Sequence, residues 1–244
     1  IVGYQDHQVI KKKDTMGWDV LIRMELVTSL PKYLESHRFS REQVIQLGLD
    51  ICTALELCSK KGIIHRDIKD ENIFISKDGL FKLGDFGIAK ELSGTGRAAS
   101  MRGTPLYMAP EVYRGEKYDA AVDIYSLGIV LYKLLNGGRM PFMPPYPQQV
   151  KSRDCDDALE RRIAGEQLPP PTFAGELLSS IVLKACAHNP KERYASATDM
   201  KQALGRVIVS MSDTECAELV TPEKARKTEP TEPAEKQTTE TERK

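Results

Sequence analysis

The chain has 244 residues, 41% of them hydrophobic, and carries 35 Lys and Arg against 35 Asp and Glu. That is enough apolar material for one substantial core, and the even charge balance gives no field that would select nucleic acid as the main partner. Cys52, Cys58, Cys155, Cys186 and Cys216 are odd in number, scattered and without metal-ligand spacing, which argues against a zinc or disulfide framework and for reduced thiols.

In chain order, Ile1, Val2, Tyr4, Val9 and Ile10 form one apolar run and Trp18 to Val27 a second, separated by a polar turn at Lys11-Lys12-Lys13-Asp14. The pattern predicts two antiparallel strands ending near Met24-Glu25-Leu26-Val27. Because the first opens on Ile1 in mid-pattern, the expectation is that sheet partners lie upstream. Pro31 opens a short helix. Ser40 is a good N-cap with Gln43 at the capping-box position, and a long core helix with an apolar face from Val44 to Cys58 follows, stopped by Lys60-Lys61-Gly62.

Next comes a polar loop, His65-Arg66-Asp67-Ile68-Lys69-Asp70-Glu71-Asn72, framed by Ile64 and by Ile73-Phe74-Ile75. Lys77-Asp78-Gly79 predicts a hairpin turn into Leu80-Phe81-Lys82-Leu83, which leads to Asp85-Phe86-Gly87. Polar groups on a loop and a turn held by short apolar strands are placed as reactive groups are on a rigid scaffold. Two acids, an amide and a lysine at these intervals suit a metal-bound triphosphate, since carboxylate and amide oxygens fit Mg²⁺ and the lysine fits phosphate oxygens.

Residues 91–100 are small and polar without a period, which predicts a loop. Gly103-Thr104-Pro105-Leu106-Tyr107-Met108-Ala109-Pro110-Glu111 follows. Tyr118 to Leu135 is apolar nearly all round, predicting a buried helix stopped by Asn136-Gly137-Gly138. Pro141, Pro144, Pro145 and Pro147 mark an irregular loop, and helices are expected over 156–164, 176–187 and 196–209. From 211 to 244 the composition turns to Thr, Glu, Lys and Pro, the signature of a disordered tail. No apolar run reaches the ~18 residues that span a bilayer and no secretory leader is recognisable, so the expected location is cytoplasmic.

Three of these segments, H-R-D-x-x-x-x-N at 65–72, D-F-G at 85–87 and A-P-E at 109–111, occur in the order and at the intervals of the eukaryotic-type (Hanks-type) protein kinases, which the chain resembles. The resemblance, to bacterial receptor-type members in particular, implies an α+β, two-lobed kinase fold. It places the last N-lobe strands and hinge at 1–27, the helical C-lobe at 28–210 and the tail at 211–244. It also implies ATP and Mg²⁺ as cofactors and a protein Ser/Thr hydroxyl as acceptor. Autophosphorylation in trans fits the same picture, as does a cytoplasmic kinase domain attached to a membrane anchor.

Residue by residue, the resemblance implies that Asp67 orients the acceptor hydroxyl and takes its proton, that Lys69 holds the γ-phosphate, and that Asn72 and Asp85 bind Mg²⁺. Met24 would be the gatekeeper, the backbone at Glu25 and Val27 would meet the adenine edge, and Phe74 would floor that pocket. Lys69 together with Thr104 beside proline resembles the Ser/Thr rather than the Tyr kinases. Arg66, with Lys90, would hold a phosphate on the activation loop, for which Ser100 is the preferred acceptor and Thr95 and Ser93 are weaker ones. Glu111 and Arg193 would form a buried structural ion pair, and Asp123 would brace the catalytic loop. Asp70 stands where many relatives have proline. The glycine-rich loop, strand lysine and helix glutamate of the family do not occur ahead of these motifs, so the expectation is a kinase fragment with little activity alone. The alternatives are a pseudokinase-like C-lobe that serves as an interaction module and a small-molecule phosphotransferase.

Overall fold

The computed structural model describes residues 1–13, 15–86 and 105–220. Strands β1 (Tyr4–Lys11) and β2 (Trp18–Met24) pair antiparallel, with Val9 opposite Val20 and Lys11 opposite Trp18, and the register slips between Tyr4 and Asp6. Every residue of both strands is exposed, including Trp18, Leu21 and Ile22. The ribbon is anchored at its base, where Glu25 N–H donates to Gly3 C=O at 3.0 Å and Val2 N–H donates to Leu83 C=O at 2.9 Å.

The second sheet has the order β3 (Thr28–Ser29), β4 (Ile73–Ile75), β5 (Phe81–Leu83), all antiparallel. Its alternation places Ile73, Ile75, Phe81 and Leu83 in the core and leaves Phe74 and Lys82 together on the other face. The expected hairpin forms over Lys77-Asp78-Gly79. Gly79 adopts φ 78°, the left-handed conformation that a three-residue loop requires.

Helix α1 (Leu30–Tyr33) leads to α2 (Arg41–Lys60), whose capping box is the expected one: Ser40 Oγ accepts from Gln43 N–H, and Gln43 returns its amide oxygen to Ser40 N–H. Downstream lie α3 (Pro110–Arg114), α4 (Ala121–Leu135), α5 (Ser152–Ile163), α6 (Gly175–Ala185), α7 (Ala197–Ser210) and α8 (Asp213–Ala217). Helix α4 buries 13 of its 15 residues, as a helix apolar all round must, and the core is built around it from α2, α6, α7 and the small sheet. Helix α5 starts ahead of the expected 156 because Asp154 reaches back to Lys151 N–H at 2.7 Å, a polar start that apolar periodicity does not register.

Two glycines set helix spacing. A Cβ on Gly48 would lie 2.7 Å from Leu204 Cδ1, and one on Gly128 would lie 2.7 Å from Cys186 Sγ and 2.9 Å from Ala185 Cβ. Gly128→Ala gains up to about 1 kcal/mol in helix propensity but drives a methyl into the backbone-anchored part of α6. A net loss of about 1–2 kcal/mol is expected in urea unfolding. A stabilised variant would show that α4 and α6 can separate freely.

The sequence reading puts residues from 211 onward in a disordered tail, and the structure corrects its near end. Ser212 caps α8 with Glu215, Val220 is fully buried and donates its N–H to Phe39 C=O, and Arg41 forms an ion pair with Glu218 at 2.8 Å. The charge count of the tail hides the apolar Leu219 and Val220 and the partner that α2 offers to Glu218. The rest of the tail, 221–244, lies outside the described residues. Among the described residues, no helix is long and apolar enough to cross a membrane.

Candidate active site

The polar loop between α2 and β4 is held from below by α4. Asp123, 3% exposed in the first turn of that helix, accepts N–H from His65 at 2.7 Å and from Arg66 at 2.9 Å. Burial pushes the Asp123 carboxyl up, and those two backbone donors oppose the shift. The paired bonds hold Arg66 at φ 68°, a left-handed conformation that costs a non-glycine residue about 1–3 kcal/mol unless its surroundings enforce it.

His65 bridges the loop to the strand end that carries Asp85. Its Nε2 lies 3.1 Å from Gly84 C=O, which can only accept, so the ring proton sits there and Nδ1 faces Asp67 N–H at 3.4 Å. Its ring packs 4.7 Å from that of Phe86. Burial pushes the imidazole pKa below its ordinary 6.5. The unfolded chain therefore takes up this proton first as pH falls, and stability is lost below pH ~6.5, at up to ~1.4 kcal/mol per unit. His65→Gln should flatten that part of the stability profile in urea unfolding at a series of pH values. An unchanged slope would place the titration elsewhere.

Asp67 is 6% exposed. Its Oδ2 lies 3.3 Å from Lys69 Nζ and accepts from Asn72 Nδ2 at 3.1 Å, while the same amide nitrogen donates to Asp67 C=O at 2.8 Å. With Nδ2 spent on Asp67, Oδ1 is the atom that Asn72 can offer a cation. Asp85 is exposed at φ 55°, a left-handed position that Asp tolerates better than most residues. The donor set fits Mg²⁺, which takes one or two protein oxygens and completes its shell with phosphate and water. Among the described residues no group of three or more His, Cys, Asp or Glu could hold a metal alone.

Phe74 stands on the open face of β4, its ring against Gly84, where an added Cβ would meet Phe74 Cε2 at 3.0 Å and Val2 Cγ2 at 2.9 Å. Glu25 lies nearby, its carboxylate taken by Lys82 Nζ at 2.6 Å, and Val27 follows on the link to β3. The base of the N-terminal ribbon thus meets the β4–β5 hairpin beside Phe74. Arg66 is exposed, 5.9 Å from the Tyr118 ring. Lys90, Thr95, Ser93, Ser100 and Thr104, expected on the activation loop, lie outside the described residues.

Glu111 and Arg193 meet in a bidentate pair of 2.6 and 2.8 Å, with side chains 6% and 0% exposed. The remaining N–H groups of Arg193 reach the carbonyls of Ala187, Ala121 and His188, so all five of its donors are used.

Sequence reasoning missed the partners of Asp70. This carboxylate accepts from Tyr107 Oη at 2.6 Å and pairs with Lys133 Nζ, which also reaches Tyr107 Oη at 2.9 Å. Burial pushes the Asp70 carboxyl up, but the Lys133 charge and these bonds outweigh it and hold it below the ordinary carboxylate value. Lys133 is the single basic residue of α4, and a lone lysine among the apolar residues that close this helix is the available signal. Lys69 is extended at φ −159° and ψ 167°, and Asp70 opens a 3₁₀ turn, so proline would fit at 70 without strain. Lys133→Met should cost about 2 kcal/mol, discounted from the fully buried case because Lys133 is partly exposed. Asp70→Pro in the same chain should restore most of it in chemical denaturation.

The protein kinase domain family model matches residues 5–204. The chain belongs to the protein kinase family. As a kinase domain it is similar to the serine/threonine-protein kinase PknB of Mycolicibacterium smegmatis, 40% identical over 172 residues, and to PknB of Mycobacterium tuberculosis, 38% identical over 173 residues. Each match covers 68% of this chain and 26% of the relative, so the chain spans about a quarter of the length of these kinases. A probable serine/threonine-protein kinase of Streptomyces coelicolor is 35% identical over 167 residues, 66% of this chain and 24% of that protein. These likenesses place the kinase domain in the bacterial Hanks-type serine/threonine group.

Proposed function

We propose that this kinase domain transfers the γ-phosphate of ATP to serine and threonine hydroxyls of protein substrates. The observation that carries the reading is the buried Asp67 carboxylate, joined to Lys69 Nζ and Asn72 Nδ2 on one loop. In this reading Asp67 accepts the acceptor hydroxyl's proton as the oxygen attacks, and Lys69 carries the charge that builds on the γ-phosphate oxygens. Asn72 Oδ1 and the Asp85 carboxylate hold Mg²⁺, which when bound neutralises phosphate charge. Phe74 floors the adenine pocket, with backbone of Glu25 and Val27 along its edge. Arg66 and Lys90 receive a phosphate on the loop, with Ser100 as the acceptor, and Thr104 beside Pro105 belongs to the same regulatory segment. Glu111, Arg193 and Asp123 are structural.

The finer part of the proposal concerns efficiency. The ribbon β1–β2 exposes both faces, which a two-stranded hairpin sustains poorly without further strands or a packing partner. No glycine-rich phosphate loop or strand lysine precedes the catalytic loop in these residues. Efficient transfer is therefore expected only when such elements cover the ribbon, and the 244 residues alone should be poorly soluble and nearly inactive.

Phosphoamino-acid analysis of a protein substrate treated with ATP and the full catalytic domain tests the reading. Phosphoserine and phosphothreonine are expected. Phosphotyrosine alone, or phosphate transferred to small molecules in preference to protein, would overturn it.

A further inference from the structure

Outside the catalytic centre, one small cavity collects buried polar atoms that spend no hydrogen bond on the described residues. It measures about 260 Å³, lies between α4, the end of α5 and the residues after α6, and is lined by Tyr125, Arg162 and His188, with Glu166, Cys186 and Glu192. The unspent atoms are Tyr125 Oη, Arg162 Nη1 and His188 Nδ1.

All three can donate. Arg114 Nη2 lies 2.9 Å from His188 Nε2, and a guanidinium only donates, so Nε2 accepts and the ring carries a proton on Nδ1. Arg162 Nη1 is a charged donor and the tyrosine hydroxyl a neutral one. A cavity into which three donors face selects for a ligand rich in acceptors.

The charge balance points the same way. Arg162 is 4% exposed, yet its partners among the described residues are a backbone carbonyl, Pro105 C=O at 3.0 Å, and the Tyr125 ring, 5.6 Å away. Other buried or half-buried cations among the described residues face carboxylates, Arg193 with Glu111, Arg41 with Glu218 and Lys133 with Asp70, while half-buried Arg139 turns to a carbonyl, that of Gln148. Of the two carboxylates that line the cavity, Glu166 has both oxygens on Arg161, and Glu192 accepts from Asn189 at 3.2 Å. A guanidinium taken out of water without a counter-ion is costly, and a small anion would remove that cost.

We propose that this cavity binds a tetrahedral oxyanion of the phosphate class, held by Arg162 Nη1, Tyr125 Oη and His188 Nδ1. Arg162 Nη2 also donates to Pro105 C=O, at the turn that carries Tyr107 and its bond to Asp70, so the bound anion braces the approach to the catalytic loop.

The test is a thermal unfolding titration of the protein with inorganic phosphate, at constant ionic strength made up with chloride. The unfolding midpoint should rise and saturate, as linkage to a native-state site requires. The general stabilisation by excluded anions does not saturate, and all variants share it. Arg162→Met should raise the half-saturating phosphate concentration by about tenfold or more, the loss of one charge-assisted bond. Tyr125→Phe removes a single oxygen from a filled site and should raise it several-fold, which decides the matter if Arg162→Met fails to fold. A non-saturating rise in the wild-type protein, or a saturating one that neither variant changes, would overturn the proposal and leave the cavity to ordered water.

Discussion

Asp67→Asn, made in the full catalytic domain, should lower kcat for phosphotransfer by about 10²–10⁴-fold, the usual contribution of a positioned general base. At 1.36 kcal/mol per decade this is about 3–5 kcal/mol of barrier. The KM for ATP should change little, because the proposed role of Asp67 is toward the acceptor hydroxyl and the amide nitrogen of Asn72 can still donate to the Asp67 backbone carbonyl, now 2.8 Å away. Stability should hardly fall, since the asparagine oxygen replaces the Oδ2 that accepts from Asn72. Steady-state kinetics with varied ATP and varied protein substrate separate these effects. A fall in kcat below tenfold, or a fall matched by loss of fold in circular dichroism, would remove Asp67 from the role of base.

Arg193→Met should be the most damaging single change to stability, at about 3–5 kcal/mol, because it leaves the Glu111 carboxylate buried without a counter-charge. That is a large part of the 5–15 kcal/mol that holds a typical domain together. Three backbone carbonyls, those of Ala187, Ala121 and His188, would lose their donor as well. Glu111→Leu should cost a similar amount, but the double variant should cost less than the sum, since the unpaired charge is then gone from both sides. Urea unfolding of the four proteins gives the coupling. Strict additivity would mean that the pair contributes through packing alone.

Much of this architecture is legible in the residues because local chemistry encodes it. Ser40 with Gln43 announces α2, Lys77-Asp78-Gly79 announces the β4–β5 turn, and the unbroken apolar surface of 121–135 announces a helix that has to sit at the centre. The catalytic loop is legible for a different reason: phosphoryl transfer needs an acid, a lysine and an amide at fixed intervals, and few other demands produce that spacing. What stays hidden is long-range. Nothing near Asp70 in sequence indicates that Lys133, 63 residues on, supplies its counter-charge. Nothing near Glu218 indicates that Arg41 will order the first part of a tail whose composition otherwise reads as disordered. Likewise the bond from Val2 to Leu83, which joins the N-terminal ribbon to the catalytic hairpin, links residues that share no local pattern.

Contacts from three parts of the chain converge on the loop of residues 65–72. Asp123 fixes its start, Lys133 and Tyr107 fix its middle through Asp70, and β4 fixes its end. A reactive loop held at three points keeps Asp67, Lys69 and Asn72 in place before substrate arrives, and such positioning is most of what a protein contributes to phosphoryl transfer.

The most direct measurement is a crystal structure of the full catalytic domain with a non-hydrolysable ATP analogue and Mg²⁺. Asn72 Oδ1 and the Asp85 carboxylate should coordinate the metal, Lys69 Nζ should contact the γ-phosphate, and the adenine should lie over Phe74 beside Glu25 and Val27. A nucleotide bound elsewhere, or a metal that touches neither Asn72 nor Asp85, would contradict the account.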